Sequence, residues 1–140
     1  MPWWKRRRSL DEGPVFRVGK RNGLRVAVRR ALHMMIDPDL SIAERIEAMI
    51  CEEVVEAPIG TQTECNTLVA FQSALVSPFE TTVNFSGGMT QRCWSVTRTD
   101  GAYRVVYLPL AGYFSLCVES DFGPLDIGVH GSALGCFASV

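Results

Sequence analysis

Long apolar runs are missing from this chain. No stretch of about 18 consecutive apolar residues occurs in its 140 residues, so no membrane-spanning helix is expected. The residues after Arg8 are Ser9, Leu10, Asp11, Glu12, Gly13 and Pro14, without the apolar core a secretory leader needs. No C-x-x-C pair occurs. The five cysteines, Cys51, Cys65, Cys93, Cys117 and Cys136, are spaced by 14, 28, 24 and 19 residues, which matches neither a zinc finger nor a zinc ribbon. Each stands among apolar neighbours, so buried reduced thiols are expected, which suits a cytosolic compartment. The two histidines, His33 and His130, lie far apart in sequence, and no local spacing favours a Cys–His nucleophile pair.

The common catalytic signatures are missing as well. Gly128, Gly131 and Gly135 do not make G-x-G-x-x-G and no Lys-Ser/Thr follows them, so no phosphate loop is read. Ser132 follows a glycine without completing G-x-S-x-G, and H-E-x-x-H does not occur. Glu52 and Glu53 are adjacent on a predicted helix and so point to different sides. Asp121-Phe122-Gly123 spells a kinase motif in a chain too short for a kinase, and Asp121 and Asp126 are read as flanking a polar turn. The expectation is a protein that is not an enzyme, with no cofactor, no metal and no small-molecule substrate.

What is present is enough apolar material for a core. The chain is 47% hydrophobic and 21% charged, which excludes a wholly disordered chain, a collagen and a coiled coil. Its length corresponds to one domain of about 150 residues.

The charge is placed unevenly. The net charge is −1, yet residues 1–30 carry ten basic side chains against two acids, a net of +8. Residues 31–140 carry four arginines against thirteen acids, a net of −9. A basic segment of this kind suits a polyanion: RNA, an anionic membrane face, or the acidic body of a second copy. Trp3 and Trp4 directly precede Lys5, Arg6, Arg7 and Arg8. Indoles favour the membrane–water interface and basic residues favour anionic lipid, although the same indoles could stack on bases or dock on the protein itself. The membrane- or nucleic-acid-binding set is therefore Trp3, Trp4, Lys5, Arg6, Arg7, Arg8, Lys20, Arg21, Arg25, Arg29 and Arg30. A Lys-Arg run is also a weak nuclear-import signal, which makes the nucleus an alternative destination.

Along the chain, residues 1–14 read as a flexible basic arm and 15–140 as a single compact domain. Val15–Val18 is a short strand candidate, followed by a turn over Gly19–Gly23. Residues 25–36 follow helical spacing, and Asp37-Pro38 stops them. Ser41 and Glu44 form a capping box ahead of an apolar stripe at Ile42, Ile46, Met49, Ile50 and Val54. Thr61 and Glu64 form a second box ahead of Leu68, Phe71 and Leu75, and Ser77-Pro78 is the expected stop. From Glu80 the period changes to two. Strands are expected over Thr82–Phe85, Cys93–Thr97, Tyr103–Leu108 and Tyr113–Val118, with Asp100-Gly101 as a hairpin turn and a short edge strand near Ile127–His130. Helices first and strands after predict an α+β fold, with two to three helices packed on one face of an antiparallel sheet.

The order of a basic opening, MPWWKRRR, then helices, then antiparallel strands resembles a compact rhabdovirus matrix protein. Cys93-Trp94-Ser95-Val96, Asp100-Gly101 and Tyr103-Arg104-Val105 are similar in pattern to a strand–turn–strand late in that core. The resemblance implies a viral structural protein that links the inner membrane face, the ribonucleoprotein and further copies of itself during assembly and budding. Its implied partners are an anionic membrane, viral nucleoprotein or RNA, and itself, and its implied location is the virion and the host cytoplasm at the membrane. The chain is shorter than those proteins and lacks PPxY and PTAP, which puts recruitment of budding machinery through such a motif in doubt. The alternatives are a small nucleic-acid-binding protein with a basic arm, or a small enzyme or ligand-binding domain near His130 and Cys136.

Overall fold

The computed structural model describes Trp3 and residues 39–99 and 101–140. The chain divides into two compact units, Met1–Cys65 and Asn66–Val140. The expected strand at 15–18, the turn at 19–23 and the helix at 25–36 lie outside the described residues.

Helix α1 spans Ile42–Glu56. Its start is the expected capping box: Glu44 N donates to Ser41 Oγ and Ser41 N donates to Glu44 Oε2, each at 3.2 Å. Ile46, Ile50 and Val54 are buried at helical spacing, while Ile42, at the edge of the stripe, is 43% exposed.

Helix α2 spans Gln62–Ala74. Glu64 N donates to Thr61 Oγ1 at 3.1 Å, but the Glu64 carboxylate accepts from Gly60 N at 2.9 Å, one residue ahead of the reciprocal position. The helix ends at Ala74, earlier than expected, because Leu75 and Val76 already belong to a strand. Arg98 N donates to Ala74 O at 2.9 Å and so ties the helix end to the sheet. Pro78 lies inside that strand, at the register irregularity between Leu75 and Phe79. A proline without an N–H is tolerated where a bulge interrupts the ladder.

Five strands follow: β1 Leu75–Asn84, β2 Thr90–Thr97, β3 Tyr103–Leu108, β4 Tyr113–Ser120 and β5 Gly123–Gly131. Each pairs antiparallel with the next. The α+β class is as expected, but the sheet is closed into a barrel. In an up-and-down barrel with an odd number of strands, the first and last must run the same way. The closing pair is accordingly parallel, through Asn84 and Leu125. β5 is therefore a nine-residue closing strand that contains Gly123 and Pro124, in place of the short edge strand and polar turn read from the sequence.

β3 and β4 are buried on both faces. Val106, Leu108 and Cys117 join Val83 and Cys93 in the barrel core. Val105 and Leu116, on the opposite face, are also fully buried. Helix α3, Ala133–Ala138, lies against β3 and β4. Its Phe137 ring meets Phe71 of α2 at 5.5 Å between centroids. This helix is absent from the sequence reading, since six residues with a glycine among them leave almost no periodic signal. Ser132 caps it by accepting from Gly135 N at 3.0 Å.

Candidate functional site

Of the eleven binding residues read from the sequence, only Trp3 is described. It is helical and 5% exposed, in keeping with the alternative that this indole docks on the protein itself. Trp4, Lys5, Arg6, Arg7, Arg8, Lys20, Arg21, Arg25, Arg29 and Arg30 lie outside the described residues.

The barrel holds a polar constellation that sequence reasoning did not assemble. Side chains alternate along β4, so Ser115, Cys117 and Glu119 share one face with the core. On β5, register shifts between the Leu116↔Val129 and Cys117↔Asp126 pairs, leaving Ile127 and Gly128 extra. Gly128 has φ 81°, the left-handed conformation that such a bulge requires and that side chains oppose. The bulge brings Asp126 within reach of two partners. Ser115 Oγ donates to Asp126 Oδ1, and His130 Nε2 lies 3.2 and 3.3 Å from the two carboxylate oxygens. The Tyr113 ring lies against the imidazole, 5.0 Å between centroids. Ser115 is fully buried, Asp126 nearly so, and the His130 side chain is 36% exposed.

The order of these bonds decides their chemistry. A nucleophilic serine needs its proton held by an imidazole, which a carboxylate orients. Here the carboxylate stands in the middle and takes the serine proton's hydrogen bond itself. The arrangement ties β4 to β5. A ligand-binding or catalytic site near His130 and Cys136 would bring the two together, but Cys136 is engaged elsewhere, its Sγ donating to Val129 O at 3.5 Å.

Two thiols sit beside the same carboxylate. Burial first, and then Asp126, pushes Cys93 up to about 11. Burial, with Asp126 and Cys93 adding to it, pushes Cys117 up to about 12. Both are neutral at physiological pH, and a neutral buried thiol is a poor nucleophile and a poor metal ligand. All five cysteines are free, as expected: Cys93, Cys117 and Cys136 are buried, and Cys51 and Cys65 half-buried. Arg104 forms a fork with Glu119, Nε to Oε1 at 2.5 Å and Nη2 to Oε2 at 2.9 Å, and its Nη1 lies 3.4 Å from Thr81 Oγ1. Because Thr81 is on β1, this arginine spans the barrel interior. The alternating Ser, Cys and Glu of β4 were the available signal for a polar inner face.

Among the described residues, no three His, Cys, Asp or Glu side chains are grouped to hold a metal ion, and no helix is long and apolar enough to cross a membrane. No protein-family model, curated protein or solved structure matches the chain.

Proposed function

We propose that this protein is a structural adaptor of the viral matrix kind, acting at the inner face of a membrane and in the virion, with the barrel as scaffold and the first 30 residues as the polyanion-binding element. The observation that carries this reading is the segregation of charge, +8 over residues 1–30 and −9 over the rest. The acidic share is itself uneven. Residues 31–65 hold eight acids and one arginine, a net of −7, while residues 66–140 hold five acids and three arginines, a net of −2. The acidic counterpart of the basic segment is therefore the stretch around α1, and the barrel is close to neutral. Copies of the chain can attract one another through these opposite stretches, since a net charge of −1 gives little long-range repulsion.

Anionic lipid is the favoured polyanion because indole and basic residues adjoin at Trp4 and Lys5–Arg8. RNA is the competing one. Salt weakens both, so salt alone does not separate them. Vesicle flotation with RNA added as competitor does. Flotation on anionic vesicles that persists under excess single-stranded RNA supports the membrane role. A gel shift with RNA, together with no flotation, reassigns the basic segment to nucleic acid.

A further inference from the structure

The two ends of the barrel differ in charge and in what their turns present. Turns of a meander alternate between ends, so the β1–β2 turn, the β3–β4 turn and the close of β5 share one end. Met89, at the first of these turns, is 69% exposed, and Leu110, at the second, is 88% exposed. Residues 81–97 carry one charged side chain, Arg92, and residues 105–118 carry none. Glu80 is the one exposed acid on the five strands, and it is ion-paired with Arg92. Asp126 is 11% exposed and engaged by Ser115 and His130. An exposed acid stands at the opposite end, where Asp121 adjoins Phe122 in the β4–β5 turn.

Both apolar tips are carried on closed turns. Phe85 N donates to Met89 O at 2.7 Å, and Ala111 N and Gly112 N donate to Leu108 O at 3.1 and 2.8 Å. Pro109 has no N–H to satisfy. Backbone groups bonded within a turn can enter a medium without water at little cost, whereas open ones cannot. Tyr113 directly follows the second turn and is 39% exposed, with the amphipathic ring that favours the headgroup level. Apolar tips on two hairpins make a projection, and a fluid bilayer conforms to a projection without a complementary shape. An anionic headgroup layer repels exposed acids, and the strands offer it only the paired Glu80. Charge and shape together select a lipid surface as the occupant of this end.

We propose that the barrel rests on a bilayer by this end, with Met89 and Leu110 inserted below the headgroups and Tyr113 among them. The contact rests on the membrane reading in the proposed function and adds to it an apolar component that salt does not screen. It also sets which way the barrel faces. Phe122, although 90% exposed, is at the acidic end and points away from the lipid.

Brominated acyl chains quench an indole that reaches them, so the full chain is compared with Leu110→Trp and with Phe122→Trp on anionic vesicles of brominated lipid. Quenching beyond that of the parent is expected for Leu110→Trp and not for Phe122→Trp. In flotation on the same lipid without bromine, Met89→Ser with Leu110→Ser is expected to lose at least about tenfold in affinity. Phe122→Ser is expected to float like the parent, and all variants to keep its melting temperature, since the three side chains are exposed. A parent that floats while the indole at 110 stays unquenched overturns this contact and leaves the basic segment as the membrane element. Equal extra quenching at 110 and 122 overturns the orientation. A double variant that floats like the parent but forms smaller oligomers in sedimentation makes this end a contact between proteins and overturns the proposal. A parent that does not float overturns both this contact and the membrane reading.

Discussion

Cys93 and Cys117 are neutral because the barrel interior withholds water from the thiolate, and Asp126 opposes a second negative charge beside it. An acid whose folded value lies above its unfolded value near 9.0 favours the folded state fully only below that value. Stability is therefore lost as pH climbs from about 9 through the folded values near 11 and 12. The urea midpoint is expected to fall between about pH 8 and about pH 10, and less steeply in Cys117→Val. A thiol reagent at neutral pH is expected to modify Cys51 and Cys65 ahead of the three buried cysteines, and all five only in denaturant. Equal labelling rates, or a midpoint indifferent to alkali, would contradict this picture. Arg104 provides a second test. Its fork with Glu119 is nearly enclosed, the arginine side chain being 9% exposed. Glu119→Ala strands the guanidinium and is expected to cost about 3 kcal/mol, whereas Arg104→Met with Glu119→Leu recovers most of it. Equal losses in the single and double variants would show that the site needs the charges themselves.

At the scale of elements, the signals that read correctly were local ones. A capping box is a bonding pattern within four residues, so Ser41 and Glu44 marked the start of α1 without tertiary help. Ser41→Ala is expected to cost about 1 kcal/mol in chemical denaturation. Ile46→Ala is expected to cost about 2–5 kcal/mol, because Ile46 is wholly buried, and Ile42→Ala less than half as much, because Ile42 is 43% exposed. The reverse order would shift the buried face of the helix. Signals that depend on distant partners were lost. Leu75 and Val76 continue the helical stripe in sequence, and only pairing with β2 makes Leu75 the start of a strand. Asp126, Gly128 and His130 keep the period of two along β5, but the register shift that lets Asp126 reach Ser115 leaves no mark on that period. The Ser115–Asp126–His130 group was invisible for that reason: its members meet across a register shift that no sequence period encodes.

At the scale of the whole molecule, the class of fold was legible because helical and strand periods occupy separate halves of the chain. Closure into a barrel was not, because nothing local marks the single parallel pair at Asn84 and Leu125. The binding segment was read from composition alone, and composition locates charge without locating side chains. The burial of Trp3 shows the difference. What composition does specify is a competition: the +8 segment can be neutralised by the −7 stretch over residues 31–65 or by an external polyanion. In the function proposed above, an anionic surface wins. Flotation on vesicles of increasing anionic lipid content, for the full chain and for the variant with Lys5, Arg6, Arg7 and Arg8 all changed to Ser, measures this directly. At about 1 kcal/mol per basic residue, the parent is expected to bind with an affinity that rises steeply with anionic lipid and the variant to lose at least a hundredfold, with unchanged melting. Equal flotation of parent and variant, or a parent that ignores anionic lipid altogether, would contradict it.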